Sequence, residues 1–312
     1  MHLLRYIAAG AAAAALFLAA TSCRHSSAVC DSAVLDRKAL TNEIDSLLAG
    51  VPAQVGVAVI LDGTDTVTVN NSADYPMMSM FKLQEAISVC RTLGERGQTI
   101  DTVFNIPRSA LHTDTWSPML KDYTADTVRI SARGLMDYLL VHSDNNASNL
   151  LFSLVATAPQ TDSIIRSITS DGAFNISYTE AQMQREHDLA YANRTSPLAY
   201  AELVDRLFTD SLAPTPMQDF IKDAMSRCNT GTARIQGGLP GKEGVKFAHR
   251  TGSGYVNERG EVVAVNDGGR VTLPDGRSYS VAVFVKDYAG PQEDAEKVIA
   301  RISEAIYRHI TE

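Results

Sequence analysis

The chain has 312 residues, with 28 Lys and Arg against 36 Asp and Glu for a net charge of −8, and is 45% apolar and 21% charged. That length allows one large domain or two small ones with a substantial core, and those fractions exclude a disordered, collagenous or coiled-coil chain. The acidic balance excludes phosphate-backbone binding, which needs clustered Lys and Arg, so no nucleic-acid partner is expected.

Residues 1–22 read as an export leader: Arg5 supplies the positive start, Ile7 to Ala20 is apolar, and the small residues Thr21 and Ser22 precede Cys23. The apolar run is too short for a helix to span about 30 Å of hydrocarbon. Small residues ahead of a Cys resemble a bacterial lipoprotein box, although Ala20 stands where Leu is usual. The expectation is export to the periplasm, with either a lipid anchor at Cys23 or a simply cleaved leader. The four cysteines, Cys23, Cys30, Cys90 and Cys228, are too sparse for a disulfide framework, and Cys90 and Cys228 are left open between free and bonded. No C-x-x-C or H-x-x-x-H spacing occurs, so neither metal nor cofactor is expected.

Beyond a polar stretch through Asp31, the helical spacing of Leu40, Ile44, Leu47 and Leu48, stopped by Gly50, predicts a first helix. The β-branched runs Val55 to Leu61 and Thr66 to Val69 flank Asp62-Gly63 as a hairpin. Ser79 to Gly94 is helical in composition. From about Asp101 to Ser226 the pattern is mostly helical, with starts at Ser131, at Ser196 before Pro197 and at Thr215 before Pro216, each a hydroxyl cap. Strands return at Lys246 to Arg250, Glu261 to Val265, Arg270 to Leu273 and Ser278 to Lys286, and a final helix runs from Gln292 to Ile310.

Strands at both ends with helices between predict an α/β plus α class: an antiparallel sheet built from both chain termini, flanked by helices, with an inserted all-helical lobe. Residues 23–312 then form a single catalytic domain, its sheet lobe from about 31–75 and 235–312 and its helical lobe from about 76–234. No heptad run or apolar helix face suggests a partner chain, so a monomer is expected.

Three short elements carry the chemistry. Ser79-Met80-Phe81-Lys82 sets a hydroxyl and an amine three residues apart at a helix start, on one face, where the amine can take the proton that makes serine a nucleophile. Ser143-Asp144-Asn145 follows the predicted helix from Ser131 to His142. Arg250-Thr251-Gly252-Ser253 ends a predicted strand, with a glycine that lets a ligand approach the backbone. Each is weak alone. In this order, each in its expected context, they match the motif set of class A β-lactamases and penicillin-binding proteins.

The sequence therefore resembles the serine β-lactamase and penicillin-binding superfamily over nearly all of the chain after the leader. Thr179-Glu180-Ala181-Gln182-Met183-Gln184 resembles the Glu-bearing loop that class A enzymes have and transpeptidases lack. The resemblance implies that Ser79 attacks the β-lactam carbonyl and that the N–H groups of Ser79 and Ser253 hold the oxyanion. It implies that Lys82, or Glu180 through a water, takes the serine proton, that Ser143 relays a proton to the leaving nitrogen, and that Asn145 bonds the substrate side-chain amide. Glu180 then activates the water that cleaves the acyl-enzyme. Arg250, Thr251 and Gly252 join Ser253 in binding substrate, Arg234 is the cation for its carboxylate, and Trp116 resembles the aromatic gatepost beside the site.

Departures from the usual pattern point to a branch. Arg250 replaces Lys and presents a planar fork; Ala181 stands in place of Pro, Gln184 in place of the Asn that helps hold the water, and Tyr178 in place of a loop-clamping Arg. These changes resemble the extended-spectrum PER-type and Cfx-type cephalosporinases, and leave open whether the Glu180–Ala181 peptide is cis. The implied activity is hydrolysis of a small-molecule β-lactam, with a preference for cephalosporins and antibiotic resistance as the outcome. The alternatives are a D,D-peptidase or transpeptidase, and a β-lactam sensor without turnover.

Overall fold

Every second residue of the strand Gln54–Leu61 faces a different core. Val57, Val59 and Leu61 pack on one side of the sheet and Ala58 and Ile60 on the other, so the run is apolar throughout. The computed structural model describes residues 35–169, 174–241 and 244–312. The leader, Cys23 with its expected anchor, and Cys30 lie outside the described residues.

The elements that position the site are α1 (Arg37–Leu48), β1 (Gln54–Leu61), β2 (Asp65–Val69), α2 (Lys82–Glu95), α3 (Ala132–Val141), α4 (Asn145–Leu154), α5 (Ala158–Ile168), α6 (Glu180–Arg185), α7 (Pro197–Thr209), α8 (Thr215–Ser226), β3 (Lys246–Ser253), β4 (Val262–Thr272), β5 (Ser278–Tyr288) and α9 (Gln292–Thr311). The five long strands form one antiparallel sheet in the order β2-β1-β5-β4-β3. Strands from both ends of the chain thus meet at its centre, where Val59 pairs with Val281. On one face, Leu40 and Ile44 of α1 and Ile299, Ile302, Ile306 and Ile310 of α9 cover the valines. On the other, Ala58, Ile60, Ala282 and Phe284 join the core of the helical lobe. Residues 35–312 form one compact unit.

Several boundaries move for physical reasons. Strands expected at Glu261 to Val265 and Arg270 to Leu273 are one strand, β4, because the intervening Asn266-Asp267-Gly268-Gly269 is buried rather than a turn. A Cβ on Gly269 would lie 2.1 Å from the Ala248 carbonyl oxygen, so a composition typical of turns here marks close strand approach. Ser131 and Ser196 cap α3 and α7, accepting from Gly134 N and Ala199 N at 3.2 Å each. Thr215 caps nothing; it is the first residue of α8, behind Pro214. The helical lobe also carries two small sheets, Val103–Pro107 with Thr127–Ser131, and Tyr75–Pro76 with Arg194–Thr195 and Phe174–Asn175. Most of these strands are too short to show a two-residue period.

Candidate active site

Ser79 stands in a tight 3₁₀ turn, Met78–Phe81, directly before α2 rather than inside it. In such a turn side chains three residues apart eclipse, and Lys82 Nζ lies 3.0 Å from Ser79 Oγ. Distant segments anchor the turn. Asn266 Nδ2 on β4 donates to the carbonyls of Pro76 and Met77 at 2.8 and 3.2 Å, and Met77 N donates to Asn193 O at 2.8 Å. Gly252 lets β3 come close, since a Cβ there would sit 2.4 Å from the Met77 carbonyl oxygen. The bare backbone of Gly252 thus makes room for the nucleophile's turn.

Lys82 is fully buried. Its ammonium reaches Ser143 O at 2.9 Å, Asn145 Oδ1 at 2.6 Å and Glu180 Oε1 at 2.9 Å, with Ser143 Oγ at 3.5 Å. Burial pulls its pKa below the usual amine range and the charge of Arg250 adds to that, while Glu180 opposes both. The Glu180 carboxylate also touches the nucleophile, with Ser79 Oγ donating to Oε1 at 3.2 Å. Both candidate bases therefore contact one hydroxyl.

Glu180 opens α6, whose start is locked by a capping box. Thr179 Oγ1 accepts from Gln182 N at 3.3 Å, and Gln182 Oε1 accepts from Thr179 N at 2.9 Å. Asn149 Oδ1 on α4 accepts from Ala181 N at 3.0 Å. The loop ahead of it is clamped by Asn193, whose Oδ1 accepts from Ser177 N and Tyr178 N at 2.9 and 3.0 Å while Nδ2 donates to Tyr178 O at 2.8 Å. Among the described residues all peptide bonds are trans, Glu180–Ala181 included.

Ser143 lies in the turn from α3 to α4 with φ at +59°, a left-handed conformation that a non-glycine residue adopts only when its surroundings hold it there. The Lys82 ammonium grips its carbonyl. Asp144 caps α4 by accepting from Ala147 N at 2.9 Å, and also accepts from Met119 N at 2.8 Å. Asn145 Nδ2 donates to Thr115 Oγ1 at 2.9 Å. Trp116 is 63% exposed on the cleft wall, its indole N–H donating to His142 O at 2.9 Å.

The residues of β3 divide. Thr251 and Ser253 line a cleft of about 410 Å³ together with Ser79, Ser143, Asn145 and Glu180. Arg250 is fully buried, and its Nη2 donates to Ser143 Oγ at 2.7 Å. Arg234 is only 2% exposed and does not line the cleft. Its donors are occupied by the carbonyls of Gly252 and Asn266 at 2.9 and 2.7 Å, Glu296 Oε1 at 3.1 Å and Ser253 Oγ at 2.6 Å. Expected to hold a substrate carboxylate, it instead backs Ser253. Gln184 is on the cleft wall, donating to Asp114 O at 3.2 Å.

Several participants escaped the motif reading. His187 and Tyr255 line the cleft with rings stacked at 4.1 Å. Glu85 is fully buried, and burial raises its carboxyl well above the usual range against the opposing effects of Ser148 and Lys82. It lies three residues beyond Lys82, the interval that links Lys82 to Ser79, and that spacing is a signal the sequence offered. Cys90 and Cys228 are both free and buried. Among the described residues no group of His, Cys, Asp and Glu is arranged to hold a metal ion.

The profile of the beta-lactamase enzyme family matches residues 39–310. A β-lactamase of Phocaeicola vulgatus is 45% identical over 293 residues, covering 94% of this chain and 91% of the relative. The extended-spectrum β-lactamase PER-1 of Pseudomonas aeruginosa is 32% identical over 270 residues, covering 86% of each. The crystal structure of a class A β-lactamase from Bacteroides cellulosilyticus superimposes with a TM-score of 0.83 at 29% identity, covering 88% of this chain and 97% of that one.

Proposed function

The chain belongs to the beta-lactamase enzyme family as a class A serine β-lactamase, and from that premise we propose that it hydrolyses cephalosporins through an acyl-enzyme on Ser79, conferring antibiotic resistance. The carrying observation is that Glu180 Oε1 lies 3.2 Å from Ser79 Oγ and 2.9 Å from Lys82 Nζ. A carboxylate so placed can act on the nucleophile in one step and on a water in the next. Similarity to a relative named as an extended-spectrum enzyme supports the preference for cephalosporins.

Ser79 Oγ attacks the lactam carbonyl as its proton passes to the Lys82–Glu180 pair, which takes it as a unit because both members contact the hydroxyl. The developing oxyanion is held by the N–H groups of Ser79 and Ser253. As the C–N bond breaks, Ser143 Oγ gives its proton to the nitrogen and is resupplied from Lys82. Glu180 then removes a proton from water as it attacks the ester, and Ser79 leaves with its proton restored. The leader over residues 1–22 would deliver the chain to the periplasm, with an anchor at Cys23; loss of the protein from the membrane fraction in Cys23→Ala tests that step.

The test of the activity is a time course of chromogenic cephalosporin cleavage. Sustained turnover in the parent, no reaction in Ser79→Ala, and release of about one equivalent by Glu180→Gln are the expected results for deacylation by Glu180. A burst of one equivalent from the parent would overturn the hydrolase and favour a slow-releasing peptidase or sensor.

A further inference from the structure

Arg250 is a buried cation with no carboxylate beside it. Among the described residues no Asp or Glu forms an ion pair with its guanidinium, whose Nη2 donates to Ser143 Oγ at 2.7 Å and Nη1 to Leu140 O at 3.4 Å. Its Nε has no hydrogen-bond partner. Removing a guanidinium from water without a compensating anion is strongly unfavourable. What lies against it, at 4.0 Å from Nη1, is the sulfur of Cys228.

That sulfur sits in a polar enclosure. Thr230 Oγ1 is 3.3 Å from it and shares a 2.5 Å hydrogen bond with Thr251 Oγ1 in the cleft wall. His249, 1% exposed, acts on the same sulfur; its Nδ1 is 2.8 Å from Asp267 Oδ1, and its Nε2 has no hydrogen-bond partner. Asp267 Oδ2 accepts from Ile235 N at 3.1 Å, which fixes the carboxylate. The phenol of Tyr200 lies in the same field. Asp267 is the anion for His249. Lys82, paired with Glu180, and the buried Glu85 also feel the charge of Arg250, but the group in contact with its guanidinium that can become an anion is Cys228.

We propose that the Cys228 sulfur is the resident anion that balances Arg250, making Cys228 a positioning residue for the proton relay through Ser143. Burial works against the thiolate, but the imidazole of His249 facing the sulfur and the charge of Arg250 outweigh it and hold the thiol well below its ordinary value. His249 is raised in turn, Asp267 and Cys228 prevailing over burial. Cys90, equally buried but in an apolar setting, is pushed the opposite way, up to about 12. The contrast between two buried cysteines follows from their neighbours, not from depth. Because Arg250 is the donor to Ser143 Oγ, losing the anion loosens the guanidinium and with it the hydroxyl that passes the proton. This inference rests on the reading of Ser143 as that relay.

The experiment uses the full chain with Cys228→Ser, which keeps size but not charge, and Cys228→Asp, which restores an anion. The thiolate absorbance that Cys228→Ser removes from the parent should titrate with a midpoint at least one unit below the ordinary thiol value of about 8.5. Against a chromogenic cephalosporin, Cys228→Ser should lose about tenfold in kcat with little change in KM, and Cys228→Asp should recover most of it. A midpoint at or above the ordinary value, an unchanged kcat in Cys228→Ser, or a folded Cys228→Asp that fails to recover would each overturn the assignment. A low midpoint in a parent without turnover would support the sulfur–guanidinium pair and overturn the hydrolase reading instead.

Discussion

Arg250 Nη2 and Ser143 Oγ are 2.7 Å apart in a site where the guanidinium is fully buried and the serine backbone is held in a left-handed turn. The planar fork reaches Ser143 and the Leu140 carbonyl from one side chain, a geometry that the single point charge of lysine does not reproduce. Arg250→Ala should therefore lower kcat/KM by about 10- to 100-fold, the worth of one hydrogen bond from a charged donor, and Arg250→Lys should fall between. Steady-state kinetics on both variants checks the ordering.

The capping box at Thr179 makes a second prediction. Thr179→Ala removes the acceptor for Gln182 N and should cost about 1 kcal/mol of stability. Since the same turn places Glu180, deacylation should suffer more than acylation, and intact-mass spectrometry should show acyl-enzyme accumulating at steady state.

Gly252→Ala should damage the site without touching a reacting atom. The added Cβ would meet the Met77 carbonyl oxygen at 2.4 Å and must push away either β3 or the turn that carries Ser79. Overpacking of this kind costs about 1–3 kcal/mol. The expected result is a lowered Tm together with slowed acylation, measured as the burst rate with a chromogenic substrate.

Glu85 makes stability depend on pH. Its carboxyl titrates well above the ordinary 4.5 in the fold because burial disfavours the charge. The contribution of the neutral acid is therefore complete below that ordinary value and is lost as pH rises toward the raised one. Glu85→Gln cannot ionise, so it should gain on the parent by up to about 1.4 kcal/mol per pH unit through this window and by nothing below it. Denaturant unfolding at acid and neutral pH reads the difference.

Much of this site was legible in the sequence because its parts are local. Ser79 and Lys82, Ser143 to Asn145, and Thr179 to Gln184 each come from one short stretch whose spacing sets its geometry. What could not be read depends on chain segments meeting. Arg234 reads as a free cation in the sequence, yet its guanidinium donates to acceptors on Gly252, Asn266, Ser253 and Glu296. Asn193 carries no motif, yet it clamps the loop ahead of Glu180 where Tyr178 replaces the expected Arg. In the fold, Asn266-Asp267-Gly268-Gly269 read as a break in β4 because polar and small residues signal turns in isolation; only burial between strands shows why they are there.

The hydrogen bond from Asn266 to Pro76 joins positions 190 residues apart. Residues of such separation meet late, since closing long loops is slow and gains nothing until the contact forms. When the nucleophile's turn leaves the ribosome, the strand that will hold it has not been synthesised. The turn that carries the reactive serine is therefore complete only once β4 has docked against it, and a chain cut short before β4 carries its catalytic residues without a working site.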